Sequence, residues 1–241
     1  MNMPMDENSQ RRALAAAHRM VARNGWDDLV FTLLSARVPK NPNQLLVTPF
    51  PTLCATTRAS NLVKINLEGQ VVGHSGRIDS DGFPLYGAIH KARPDVNCIL
   101  HVHTSAGVAV SCMEGGFQAI SQTAMLVYND LAYFDYTGIG QGDDETVRVL
   151  GDKNNLIMRN HGTITVGRTV AEAYGRLHVL ECACAIQVAA LGSGQTVTEV
   201  EHGIVGSVGE MGNVYLASGV LDDAWENIMG LLDREEPDYA T

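Results

Sequence analysis

Several things are missing from this chain, and each absence narrows what it can be. There is no run of about eighteen apolar residues, the length a membrane-spanning helix needs, so no membrane span is expected. There is no Cys-x-x-Cys pair. The five cysteines, Cys54, Cys98, Cys112, Cys182 and Cys184, are odd in number and scattered, a pattern of free thiols in a reducing compartment rather than of a disulfide framework. Positive charge is scarce: 17 Lys and Arg stand against 27 Asp and Glu, for a net charge of -10. So acidic a chain repels phosphate backbones and anionic lipid, and neither nucleic acid nor a membrane surface is expected as a partner. The opening stretch, Met1 to Gln10, is polar and has no apolar centre, so it is not read as a secretory signal, and the cytoplasm is the expected compartment. No repeat, low-complexity tract or glycine-rich linker interrupts the 241 residues, of which 45% are hydrophobic. One domain spanning residues 1–241, with a full core, is expected.

The periodicities supply the elements. Residues 9–24 are predicted as a helix capped by Ser9, with Leu14, Ala17 and Val21 on one face and Gly25 at the C-terminal cap position. Leu29–Arg37 and Gln44–Thr48 read as strands, and Leu62–Leu67 with Gln70–His74 as a hairpin turning at Glu68-Gly69. Phe83–Ala92 reads as a helix that stops before Pro94. Asn97–His103 is an alternating strand and Gly107–Met113 a short helix. Ala132–Asp135 and Asn155–Met158 are further strands, and Asp143–Leu150 is helical. Thr169–Leu191 carries the strongest helical signal, opened by the capping-box pair Thr169 and Glu172, and Asp222–Leu232 closes the chain as a helix. Strands and helices mix without a strict β-α-β rhythm. An α/β layered domain is expected, its mostly antiparallel sheet covered by helices.

The sharpest chemical signal is Ile99-Leu100-His101-Val102-His103. Alternate side chains of a strand share a face, so His101 and His103 point the same way, while Cys98, Leu100 and Val102 face a core on the other side. Two neutral imidazoles on one rigid strand form half of a site for zinc, iron or another divalent metal. His161 follows the apolar run Leu156–Met158 and precedes Gly162, which places it at a strand end entering a turn, suited to be the third ligand. Three protein ligands leave a coordination position open for substrate, as catalytic metal sites require. His18, His74, His90 and His202 lack such a pattern and read as structural; His178 sits on the long helix one turn before Glu181.

These motifs, in order, resemble the class II aldolase/adducin family, closest to its adducin-like bacterial branch. The resemblance rests on Arg93-Pro-Asp-Val-Asn-Cys-Ile-Leu-His-Val-His-Thr104 and Arg159-Asn-His-Gly162. Gly25-Trp26, Ser35-Ala-Arg-Val-Pro39, Ala59-Ser-Asn-Leu-Val-Lys-Ile65, Gly82-Phe83 and Ala88-Ile-His90 fit as well. So do Leu131-Ala-Tyr-Phe-Asp-Tyr136, Thr169-Val-Ala-Glu-Ala173, Trp225, Leu232-Asp-Arg234 and Pro237-Asp-Tyr239, so that roughly residues 10–240 are covered. The resemblance implies an αβα sandwich, a homotetramer with sites between subunits, and a metal ion, zinc first and iron, manganese or cobalt as alternatives, on His101, His103 and His161.

The departures bear on function. Sugar-phosphate aldolases of the family have a Pro-Ser-Ser-Glu motif whose Glu binds the metal and carries a proton; the matching stretch here is Asp79-Ser80-Asp81-Gly82, with Gly82 at the Glu position. Their phosphate-holding Gly-Asn and Ser-Gly pairs are replaced by Asp28-Leu29 and Phe50-Pro51, and Asp28 repels an anion. The Glu of the related thiosugar dehydratases has no counterpart in Ser121-Gln122-Thr123. What remains is a Lewis-acidic ion without a neighbouring carboxylate, which fits a carbon–carbon lyase, aldolase or decarboxylase, acting on a small non-phosphorylated keto or hydroxy carboxylate. Gln122, Asn160 and Tyr128 fall in family segments near the metal; Gln122 and Asn160 are the catalytic candidates, and Glu181 is a candidate to orient a ligand histidine. Two further readings stay open: a mononuclear iron oxygenase, and a non-catalytic assembly module of the adducin kind.

Overall fold

The computed structural model describes residues 6–73, 76–135, 138 and 143–241. The elements are α1 (Glu7–Arg23), β1 (Leu33–Val38), β2 (Asn41–Val47), β3 (Val63–Asn66), α2 (Phe83–Ala92), β4 (Cys98–Val102), α3 (Ser105–Ser111), α4 (Gln122–Tyr128), β5 (Leu131–Asp135), α5 (Asp143–Leu150), β6 (Asn155–Arg159), β7 (Gly162–Gly167), α6 (Val170–Gly192), α7 (His202–Leu216) and α8 (Val220–Glu235). The strands form one seven-stranded sheet in the order β3-β2-β1-β4-β7-β6-β5. Every pairing is antiparallel except β5 with β6. β4 therefore lies in the middle, with Leu33 of β1 opposite His101 on one side and Ile164 of β7 opposite it on the other.

Alternation divides the central strand between two cores. Cys98, Leu100 and Val102 pack with Leu14, Ala17 and Val21 of α1 and with Leu177 of α6. Ile99 faces the opposite layer, where Tyr86 and Ile89 of α2 and Leu150 of α5 pack on the sheet. A third cluster joins Ile157 of β6 to Val127 of α4 and Leu180 of α6. Helices cover both faces of the sheet, which is the expected αβα arrangement.

The differences from the predicted elements have local causes. α1 starts at Glu7, because Asp6 caps it by accepting the Ser9 amide at 2.8 Å; Ser9 itself is inside the helix. β1 begins at Leu33 rather than Leu29: Leu29 has φ 50, and residues 28–32 form a loop closed by the Phe31 amide donating to the Asp28 carbonyl. The hairpin partner of β3 reduces to a single bridge between Ile65 and Val71, and His74 lies outside the described residues. The Thr169 hydroxyl caps α6 by accepting the Glu172 amide at 3.0 Å, but Glu172 returns its carboxylate to the amide of Arg168, one residue before the cap. Three elements were not foreseen: β7, α4 and α7. α7 carries four glycines, Gly203, Gly206, Gly209 and Gly212, which read as helix-breaking. Two of them serve contact: a Cβ on Gly212 would strike the backbone of Leu126 in α4, and one on Gly209 would strike Asn129, so glycine there lets the two helices close together.

Candidate metal centre

β4 lies in the middle of the sheet and places His101 near its C-terminal end and His103 just beyond it. The next pairing brings in the third ring. β6 and β7 are joined by a tight turn in which the His161 amide donates to the Met158 carbonyl at 3.1 Å. Asn160 takes φ 58, the left-handed conformation that asparagine tolerates better than most residues, and so swings His161 toward β4. Gly162 follows because nothing larger fits: a Cβ there would meet the Val102 carbonyl and come within 2.9 Å of His103 Cδ2. The amide of Asn160 reaches the Ser111 carbonyl, which ties the turn to the end of α3.

The three rings converge through the same nitrogen. His103 Nε2 lies 3.0 Å from His101 Nε2 and 2.9 Å from His161 Nε2. The far edges of two rings are already assigned. His101 Nδ1 donates to the Thr163 carbonyl at 2.9 Å, and His103 Nδ1 donates to Asp28 Oδ2 at 3.2 Å. Those bonds put the ring protons on Nδ1, so the two facing Nε2 atoms present lone pairs to one another. Lone pairs that close repel unless a cation lies between them. His101 is fully enclosed and its pKa is held well below the ordinary imidazole value, first by burial and then by its two neighbours. Burial first, and the nearness of a second titratable ring at His103 after it, lower His161 to about 4. Neutral imidazole is the state in which histidine binds a metal, burial favours it at His101 and His161, and all three ligand atoms lie within 4.8 Å of one another. The donor set therefore fits a divalent metal ion.

Glu181 supports this site without touching a histidine. Its buried carboxylate accepts the hydroxyls of Thr104, the residue after His103, and of Thr163, whose carbonyl holds His101. α6 thus clamps the ends of β4 and β7 together from the opposite face of the sheet. Burial raises the pKa of Glu181, and the two threonine hydroxyls oppose that shift.

Of the two catalytic candidates, Asn160 adjoins His161 and Gln122 does not. Gln122 is exposed at the start of α4 and Tyr128 is exposed at its end; no hydrogen bond among the described residues links either to the histidines. Asn160 is exposed at the turn. Gly82 precedes α2, and a side chain there would meet Leu33 and the carboxylate of Asp79, whose Oδ2 lies 2.9 Å from the Cβ position. His18 and His90 are buried and structural: His18 bonds Leu14 and Thr48, and His90 bonds Ser35. His178 packs its ring against Trp26 at 5.6 Å. Sequence reasoning missed Asp28 as a partner of His103. The two lie 75 residues apart, and no local pattern joins them. A cavity of about 920 Å³ lies elsewhere, beside α1 and β3; its Arg11 and Lys64 already pair with Glu7, and its Arg12 with Asp233.

A seven-stranded αβα sandwich with three histidines gathered from the end of β4 and the β6–β7 turn defines a class of proteins built around a metal-ready triad at the end of the central strands. The family is the class II aldolase and adducin N-terminal domain family, whose model matches residues 12–188, and the chain belongs to it. An aldolase II superfamily protein from Pseudomonas syringae superposes with a TM-score of 0.93 at 34% identity, over 100% of this chain and 98% of that one. An L-fuculose 1-phosphate aldolase from Glaciozyma antarctica superposes with a TM-score of 0.83 at 27% identity, over 95% of this chain and 92% of that one. Mouse alpha-adducin is 40% identical over 194 residues, which are 78% of this chain but only 26% of adducin. No helix among the described residues is long and apolar enough to cross a membrane.

Proposed function

We propose that this protein is a metal-dependent carbon–carbon lyase of the aldolase or decarboxylase type, with zinc on His101, His103 and His161. The substrate class is a small, non-phosphorylated keto or hydroxy carboxylate. The observation that carries this reading is the convergence of three Nε2 atoms, two of them with lone pairs fixed by hydrogen bonds on the far side of the ring. A divalent ion held there supplies Lewis acidity for a carboxylate and an adjacent oxygen. The protein's own groups then decide which cleavage fits. Retro-aldol cleavage needs a base to take the substrate hydroxyl proton, and Gly82, where the family's aldolases have Glu, can carry none. Loss of carbon dioxide leaves its electron pair on carbon and needs no base to begin, so decarboxylation demands less of this site. Asp28 at the rim disfavours a doubly charged phosphate. Asn160 holds His161 through its backbone conformation, and Gln122 and Asn160 remain the candidate groups for contacting substrate. A homotetramer is the expected assembly.

The reading is tested by incubating zinc-loaded protein with a panel of keto, hydroxy and aromatic acids and following substrate loss and carbon dioxide. Turnover that disappears in His101→Ala supports it; equal turnover in the two proteins overturns it. Similarity to alpha-adducin favours a second, non-catalytic reading, which predicts a folded protein that retains no metal. Iron with oxygen uptake in place of zinc would turn the site into that of an oxygenase.

A further inference from the structure

We infer that Asp28 is a positioning residue for the histidine triad: it fixes the tautomer and the ring orientation of His103, and so sets how tightly the site holds its metal. The inference rests on the metal reading above and adds a residue that lies in neither the His101–His103 strand nor the His161 turn. Asp28 Oδ2 accepts from His103 Nδ1 at 3.2 Å, on the ring edge opposite Nε2. Asp28 is therefore no ligand itself, and the cluster whose atoms lie within 4.8 Å of one another holds only His101, His103 and His161 among the described residues. It stands instead where a carboxylate acts through the ring. A carboxylate accepting from the distal N–H of a ligand imidazole locks the proton on that nitrogen, stops the ring from rotating and makes the metal-facing nitrogen a better donor. His101 has a neutral carbonyl, that of Thr163, in the same role. His103 alone of the two has a charged partner.

The loop that carries Asp28 is held in place by its own backbone. The Asp28 amide donates to the Thr32 hydroxyl at 2.9 Å, and its carbonyl accepts from Phe31 at 2.8 Å. Thr32 is buried and adjoins Leu33, which pairs with His101 across the sheet. The loop is thus registered to the same strand pair that carries the site. The side chain of Asp28 has no other hydrogen-bond partner among the described residues, so removing it leaves the loop's internal bonds intact.

The test is a zinc titration of the metal-free protein against a chromophoric chelator, with Asp28→Ala, Asp28→Asn and His101→Ala in parallel. The wild type is expected to bind one zinc per chain and His101→Ala to lose that site. Asp28→Ala is expected to bind roughly 10- to 100-fold more weakly. Asp28→Asn is expected to fall between, since its amide oxygen still accepts from Nδ1–H but carries no charge. Long-range proton–nitrogen spectra of the metal-free imidazoles give a second readout: His103 is expected as the Nδ1–H tautomer in the wild type and as a mixture in Asp28→Ala. Wild-type affinity and an unchanged tautomer in Asp28→Ala, with His101→Ala deficient, overturn this inference and leave the triad standing. Failure of the wild type to bind zinc overturns the metal reading, and this inference with it.

Discussion

At the scale of single residues, the site is a set of constraints placed on imidazole rings. Asn160 and Gly162 illustrate two of them. Asn160 sits at φ 58, so Asn160→Gly should leave stability nearly unchanged, whereas Asn160→Val should cost about 1–2 kcal/mol in urea unfolding. Gly162→Ala places a methyl against the Val102 carbonyl and His103, and should weaken zinc binding as well as the fold. Glu181 makes a different prediction. Glu181→Ala strands two buried threonine hydroxyls, at about 1–3 kcal/mol each, so the unfolding midpoint should fall sharply although no metal ligand is removed. The ligand triad itself was legible in the sequence, because a period of two fixes which face a strand residue takes, and a glycine after His161 marks a turn. The partners of those rings were not legible. Asp28 and Thr163 reach their rings across 75 and 62 residues of chain, and only the folded sheet brings them there; Glu181 was a sequence candidate, but it acts through Thr104 and Thr163 rather than on a ring.

At the scale of elements, the helices and strands that face one core were readable and those defined by packing were not. α1, α2, α5, α6 and α8 carry apolar stripes or caps that mark them, and their ends fall within a few residues of the expected ones. α7 was hidden by its glycines, of which Gly212 lies against α4 rather than marking a break in the helix. Gly212→Ala is accordingly expected to destabilise by about 1–3 kcal/mol despite alanine's higher helix propensity, because the added methyl meets the Leu126 backbone. β7 was overlooked because its six residues follow so closely on β6 and lie buried throughout, with no polar alternation to announce a strand. The capping threonine of α6 was visible, and Thr169→Ala should cost about 1 kcal/mol, checked by thermal or urea unfolding.

At the scale of the whole molecule, the buried histidines outside the site govern the acid limb of stability. Burial, with the charge of Arg19 beside it, lowers His18 to about 4, and burial with Arg37 lowers His90 to about 3. Both rings are neutral in the fold and take up a proton on unfolding below the ordinary value of 6.5. The unfolded state then binds more protons than the native one, so stability rises with pH across that window and is fully present above it. For His18 the loss between pH 7 and pH 4 is on the order of 3 kcal/mol. Urea midpoints measured from pH 7 to pH 4 should fall, and the fall should be shallower in His18→Gln; equal slopes in the two proteins would count against a buried neutral ring. The layered architecture was legible from the mixture of strands and helices, and the family from the order of its motifs. Substrate identity was not, because the resemblance sets Asp28, Phe50 and Gly82 where the family's aldolases hold phosphate and move protons, and those residues name no substrate.

The most direct test of the central claim is the metal content of the purified protein. One zinc per chain is predicted in the wild type, lost in each of His101→Ala, His103→Ala and His161→Ala while the circular dichroism of all three remains that of the folded chain. A triple variant lacking all three histidines that still retained one zinc per chain would contradict the account.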